Sequence, residues 1–301
     1  MKRVLVIIFL NLFIVTAEIV FGLIANSMAL IADALHNLGD VFAVIITFIA
    51  LYFGKKSASL QMTFGYHRAE MMAAFLNGLF LMVTMLYLIY ETMYRLIDPP
   101  VVDGSYVILV AFIALIANAF SALLLQKEGH EHHHHHGSGE DHHHGDLNIH
   151  SAFLHMLSDA LISFAVVAGG VIIFFYDTYI VDPILTLLFS VYILYATWPL
   201  VRKSFWSLMD SHSKDLEQII EAVKGIDGVT GLSDIHLTVP SSKMSYFSAQ
   251  LHLEKSMPME KVEASLKEVK KLLLEEFGIN HTVLEQSFSD VNALLCQGTH
   301  V

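Results

Sequence analysis

Residues 29–53 read ALIADALHNLGDVFAVIITFIALYF. As a helix rising ~1.5 Å per residue, the run is long enough to cross the ~30 Å hydrocarbon of a bilayer. Yet it carries Asp33, His36 and Asp40. A charge at mid-depth costs ~2.5–3.5 kcal/mol on the insertion scale, so ionisable groups held there point to function. A second run, HSAFLHMLSD at residues 150–159, opens the apolar stretch Ala152–Tyr176 and carries His150, His155, Ser158 and Asp159.

Both runs contain His-x-x-x-Asp. On a helix, positions i and i+4 lie one turn apart on one face. Two such helices facing each other would aim the imidazoles of His36 and His155 and the carboxylates of Asp40 and Asp159 at one spot. Four N and O ligands close a tetrahedron round Zn²⁺ at ~2.0–2.2 Å, with no position left for water, which suits carriage better than catalysis. The two carboxylates also balance a dication and offset its desolvation. Imidazole favours Zn, Co, Ni and Fe(II) over Mg or Ca, which take all-oxygen shells. One His-x-x-x-Asp in a span is often an interhelical hydrogen bond, but two copies in separate spans are hard to explain as packing. Asp33, one turn before His36, is expected to support the ligands from behind.

The rest of the chain frames this pair. It is 55% hydrophobic and 15% charged over 301 residues, against ~25% charged in soluble domains. Six apolar segments stand out: Val4–Ile24, Ala29–Phe53, Met71–Tyr90, Tyr106–Leu125, Ala152–Tyr176 and Ile184–Val201. Lys2, Arg3, Lys55, Lys56, Arg68, Lys127, Arg202 and Lys203 flank one set of ends, and Arg95, Asp98, Asp103, Asp177 and Asp182 the other. The positive-inside rule then puts both termini in the cytoplasm. The first segment holds Asn11 and Glu18 and no small-residue cleavage motif, so it reads as a span, not a signal peptide. A net charge of −12 without a basic patch excludes nucleic acid as a partner. The single cysteine, Cys296, excludes a disulfide or CxxC framework.

Residues 126–150, QKEGHEHHHHHGSGEDHHHGDLNIH, are low in complexity and predict a flexible cytoplasmic loop. Its nine histidines between His130 and His144 are too irregularly spaced for one fixed site but could gather zinc. Beyond residue 208 the period changes. Asp215–Gly225 reads as an amphipathic helix, and Thr230–Val239 and Met244–Leu253 as alternating strands turning at 240–243. Met259–Phe277 is a longer helix and Thr282–Phe288 a third strand. The expected fold is a membrane all-α six-helix bundle over residues 1–207, with the histidine loop inside it. A small cytosolic α+β domain follows over 208–290 (αββαβ, ferredoxin-like or metallochaperone-like), then a tail over 291–301. This domain carries 8 Lys and Arg against 14 Asp and Glu.

These features, with the stretches SMALIADALHNLGD, FGYHRAEMMAAFLNG, HSAFLHMLSDALIS and DPILTLLFS, resemble the cation diffusion facilitator family of zinc transporters across essentially the whole chain. The His/Asp pairing is similar to the zinc-selecting branch. The resemblance implies a homodimer that exchanges metal for protons between inward-open and outward-open states. It implies an interdomain charge pair of Arg68 and Asp210. Positions that in some relatives bind metal between spans two and three are Ser59, Met62 and Tyr66 here, so no such site is expected. In the module, His252 matches a family ligand position. Its partner position is Ser233 and the C-terminal acid is displaced, with Glu285 and Ser287 nearby, so a metal site there would be degraded or rearranged. His236, His281 and Cys296 are the remaining candidate helpers.

The expected function is export of Zn²⁺, with Cd²⁺, Co²⁺, Ni²⁺ or Fe²⁺ as further cargo, across a bacterial inner membrane in exchange for protons. Partners are then a divalent metal, protons, the bilayer and a second copy of the chain. No cofactor is required; zinc is cargo, and a regulatory ion too if the module binds it. Metal release needs a competitor, and protons serve because ligands must be deprotonated to bind. Rival readings are a metal channel, a metal-sensing membrane protein and a membrane metallohydrolase. The last would need an open coordination position and a general base, and no His-Glu-x-x-His occurs.

Overall fold

The computed structural model describes residues 2–54, 58–131, 143–242 and 244–288, with side chains over 11–46, 48–49, 52, 58–120, 157–242 and 244–288. Six long helices come first: α1 (Lys2–Ala25), α2 (Met28–Gly54), α3 (Arg68–Ile97), α4 (Gly104–Glu131), α5 (His143–Tyr176) and α6 (Val181–Leu208). They are followed by α7 (Leu216–Lys224), β1 (Val229–Ser241), β2 (Met244–Leu253), α8 (Met259–Glu275) and β3 (His281–Ser287). The chain divides into two compact units. One comprises residues 1–45 and 77–199; the other comprises 46–76 and 200–301.

In the first unit polar residues are buried beside an apolar core, and the outer surface is apolar as well. Glu18, Ser27, Asp33, Asn77, Thr92, Asp159, Ser163, Asp182, Thr186 and Ser190 are buried, while Phe13, Leu23, Val83, Tyr87, Ile113, Phe164 and Leu188 are exposed. That pattern belongs to helices whose solvent is lipid. By length and composition, Met28–Ile46, Arg68–Ile97, Leu157–Tyr176 and Val181–Leu208 are long and apolar enough to cross a membrane. Asn11–Ala25 and Gly104–Phe120 are shorter apolar helical stretches. Small residues let the helices meet closely. A Cβ on Gly104 of α4 would stand 2.8 Å from both the Gly170 carbonyl oxygen and the Phe174 amide nitrogen of α5.

The first turn of α2 is held from another helix. Asp182, in the first turn of α6, accepts from the Ser27 hydroxyl and from the Met28 and Ala29 amides at 2.8 and 3.3 Å. Ser27 Oγ in turn caps the Leu30 amide at 3.2 Å. These satisfy donors that a helix start leaves open. Asp182-Pro183 reads in sequence as a break between segments. Instead, α6 begins there, because proline fits a first helical turn, where no amide donor is needed. Next to it, Arg95 donates to the Asn26 carbonyl and side-chain oxygens at 3.0 and 2.9 Å.

Helix also takes both ends of the segment expected to be a flexible loop. α4 continues to Glu131 and α5 starts at His143. Leu125-Gln126-Lys127-Glu128 are good helix formers, and extending a formed helix adds one hydrogen bond per residue. Residues 132–142, with His132–His136, lie outside the described residues, as do residues 289–301 with Cys296.

The module in the second unit has a conventional core. Its sheet has the order β1-β2-β3, with β1 and β2 antiparallel and β2 and β3 parallel. Leu232, Leu237, Phe247, Ala249, Leu251 and Leu253 from the strands pack with Ile219 and Val223 of α7 and Val262, Val269 and Leu273 of α8. Asp215 caps α7 by accepting from the Glu217 and Gln218 amides, and Gly225 ends it. β1 extends through Pro240 to Ser241, where a turn was expected, since Ser241 still pairs with Met244. An edge strand tolerates a proline. The second unit reaches back before residue 208: Phe75 packs on Phe205 at 6.0 Å, and Ser207 Oγ donates to the Val239 carbonyl at 2.7 Å.

Candidate metal centre

His36 and Asp40 project from successive turns of α2, and Asp159 from α5. His36 Nε2 lies 3.2 Å from Asp159 Oδ1 and 3.8 Å from Asp40 Oδ2. One ligand atom from each of the three lies within 4.8 Å of the others, the only such group of three or more His, Cys, Asp or Glu among the described residues. For metal–ligand bonds of ~2.0–2.1 Å, the edge of a tetrahedron is about 3.4 Å. The observed spacings bracket it. Asp159 is 4% exposed at its side chain and His36 13%, whereas Asp40 is 31% exposed. Asp40 is therefore the member best placed to meet an arriving ion. His155 lies on α5 one turn before Asp159; its side chain, like that of His150, falls outside the described residues.

Behind the ligands lies a polar shell. Asp33 is fully buried and accepts from the Ser163 hydroxyl at 2.9 Å. Ser163 accepts from Asn118 Nδ2 at 3.4 Å. Asn37 Nδ2 donates to Glu18 Oε2 of α1 at 3.3 Å. Sequence reasoning named Glu18 and Asp33 as polar groups in spans but missed Ser163 and Asn37. The signal for Ser163 was present: it is i+4 from Asp159, on the face that carries the ligand. Gly39, beside Asp40, sits against Leu81 of α3, whose Cδ2 would be 2.5 Å from a Cβ there.

The candidates in the module are arranged differently. Register puts Ser233, His236, His252, His281, Glu285 and Ser287 on the sheet face opposite the helices. They are spread along it. His281 pairs with Tyr246 and His252 with Ser287, six residues along β2, or ~20 Å at ~3.3 Å per residue. His252 Nε2 is 2.6 Å from Ser233 Oγ, His236 is 3.2 Å from Asp234, and Glu285 accepts from Gln250 at 3.3 Å. Among the described residues no three ligating groups converge in the module. Arg68 does donate to Asp210, which also accepts from Thr238 Oγ1 at 2.7 Å. Ser59, Met62 and Tyr66 lie in the segment before α3. Nearby, His67, His212 and His236 line a largely apolar cavity of about 910 Å³.

Residues 4–209 match the family described as the cation efflux transmembrane domain, and residues 212–286 the cation efflux protein cytoplasmic domain. The chain is 28% identical to the cadmium, cobalt and zinc/H(+)-K(+) antiporter of Bacillus subtilis, over 93% of this chain and 88% of that protein. It is 31% identical to the metal cation efflux system protein CzcD of Cupriavidus metallidurans, over 89% and 81%. It is 30% identical to the zinc transporter ZitB of Pectobacterium atrosepticum, over 95% and 85%.

Proposed function

The chain belongs to the cation efflux family, and from that premise we propose that it exports Zn²⁺ from the cytoplasm in exchange for protons, by alternating access, as a multi-pass protein of a bacterial inner membrane. The observation that carries this reading is the convergence of His36, Asp40 and Asp159 among apolar helices. His155, on the face of α5 that carries Asp159, supplies the fourth ligand in this reading.

The geometry accounts for the exchange. His36 Nε2 is the atom that meets Asp159, and it is also the atom that would meet the metal. A proton and a metal ion compete for that position, because ligands bind metal only when deprotonated. Histidine ordinarily titrates near neutrality, so modest gradients move it. The Bacillus subtilis relative is named for exchange of metal against H⁺ and K⁺, and this chain is read as running the proton half of that trade. Dimer formation goes with the C-terminal domain. No step makes or breaks a covalent bond, so the protein is not an enzyme. Zinc is the cargo, and no resident cofactor takes part. The module is read as a structural and dimer-forming element.

The test is zinc flux in proteoliposomes under an imposed pH gradient. Uptake that stops when the gradient collapses supports exchange. Fast flow indifferent to the gradient would make this a channel. His36→Ala is expected to abolish flux and His36→Asp to broaden metal choice. Zinc dependence unchanged in both would remove His36 from the site.

A further inference from the structure

Glu18 and Asp33 are two carboxyl groups inside the helical unit that take no part in holding metal, and both are fully buried. They come from different helices, α1 and α2. Asp33 and Asn37 are i and i+4 on α2, and Asn37 bonds Glu18, so Glu18 faces the same side of α2 as Asp33. Each carboxyl has one bonded oxygen and one that is buried with no hydrogen-bond partner among the described residues: Glu18 Oε1 and Asp33 Oδ1. No Lys or Arg among the described side chains balances them, and the base whose charge reaches Asp33, His36, is shared with Asp40 and Asp159. Arg95 is the one Lys or Arg among the described side chains of this unit, and it is engaged by Glu91 and Asn26.

Two buried carboxylates without a counter-charge are too costly to persist. A single positive charge must share the pair. The neighbours decide its kind. Asn37 offers an amide N–H and Ser163 an O–H, so the directions open to a metal ion are filled by hydrogens, not by oxygens. A proton needs only one free carboxyl oxygen. We propose that Glu18 holds an exchanged proton, as a proton site separate from the four metal ligands.

This rests on the exchange reading above and deepens it. The titratable group whose charge reaches Glu18 is Asp33, and Asp33 is in turn reached by His36 and Asp40 on α2 and Asp159 on α5. On α4, Asn118 bonds Ser163, and the ring of Tyr106 lies against Phe21 of α1 at 5.7 Å. Asn37 follows His36 directly, so α2 carries the ligand face and the Glu18 face side by side. A dication arriving at His36, Asp40 and Asp159 repels the proton on Glu18. Its departure leaves the pair over-charged, and a proton returns. Together with the proton displaced at His36, the proton on Glu18 answers the two charges of the ion, and only the first of them shares its atom with the metal.

The experiment counts protons released per zinc bound to the purified full-length protein in weakly buffered detergent, with a pH-indicator dye. Wild type should release protons, and Glu18→Gln should bind zinc yet release about one fewer per zinc. Glu18→Asp, which keeps a carboxyl, should restore the wild-type count with a shifted pH profile. A wild-type count in Glu18→Gln overturns the proposal. Should that variant fail to fold, an unshifted profile in Glu18→Asp overturns it equally. No proton release from wild type itself would fail the exchange reading instead, which separates the two.

Discussion

The helical unit half-buries a histidine and the C-terminal module buries one, and the two keep different company. His36 stands between two carboxylates, 3.2 Å from Asp159 and 3.8 Å from Asp40. His252, 1% exposed, stands on a sheet with Ser233 Oγ at 2.6 Å and with Leu251 and Leu253 as chain neighbours. The difference follows from the two solvents. In water the module folds by burying apolar surface, and a polar group inside needs only its hydrogen bonds met. In lipid, apolar packing between helices has no such drive, so helices meet through small and polar residues. A buried acid there must be explained by what it binds. The same side chain therefore signals cargo in one unit and architecture in the other.

The comparison breaks most sharply at the ligands. Asp159→Ala should lower zinc affinity and flux by at least ~100-fold, beyond the loss seen when a mere supporting group is removed from a metal. Equilibrium zinc titration with vesicle flux would show it, and wild-type binding would mean that Asp159 is ordinary packing. Next is Asp182→Ala, which strips partners from buried donors on Ser27, Met28 and Ala29. Each group left unsatisfied costs about 1–3 kcal/mol, so thermal unfolding in detergent should shift down by several degrees.

His252→Leu sharpens the other side. It removes one hydrogen bond of the Ser233 hydroxyl, which keeps Gln250 Oε1 at 3.3 Å, at about 0.5–1.5 kcal/mol, but zinc bound per chain should stay the same. A lost zinc equivalent would show that the module binds metal and that the contrast drawn here is false. The smallest effect is expected from Asp210→Ala. Asp210 and Arg68 are each 52% exposed, so their pairing contributes about 0–1 kcal/mol to stability. Dimer fraction by light scattering and flux are the readouts, and a drop in either supports a hinge role for the pair.

What sequence revealed follows the same division. In the module, local signals sufficed: Asp215 and Gly225 bracket α7, and strict alternation marks β2 from Met244 to Leu253. In the helices the repeated His-x-x-x-Asp identified α2 and α5 as partners, because one turn of helix fixes which residues share a face. Asp182 was read as part of a break between segments. Its partners Ser27, Met28 and Ala29 are more than a hundred and fifty positions away, and no periodicity links them. Ser163 and Asn37 were missed because serine and asparagine are common in spans and say nothing of their partners. The histidine run drew attention from the helices entering it, since composition hides continuity of a backbone pattern.

The hold that α6 has on the start of α2 sets how the ligands can move. His36 and Asp40 lie ~12 and ~18 Å along the helix axis from Met28, at ~1.5 Å per residue. With the first turn pinned by Asp182, α2 is a lever. A swing of ~10° about that pivot carries the two ligands ~2 and ~3 Å sideways, as far as a zinc bond of ~2.0–2.1 Å or farther. On the exchange reading, leaning the helix would let the ion go without sliding it or unwinding a turn.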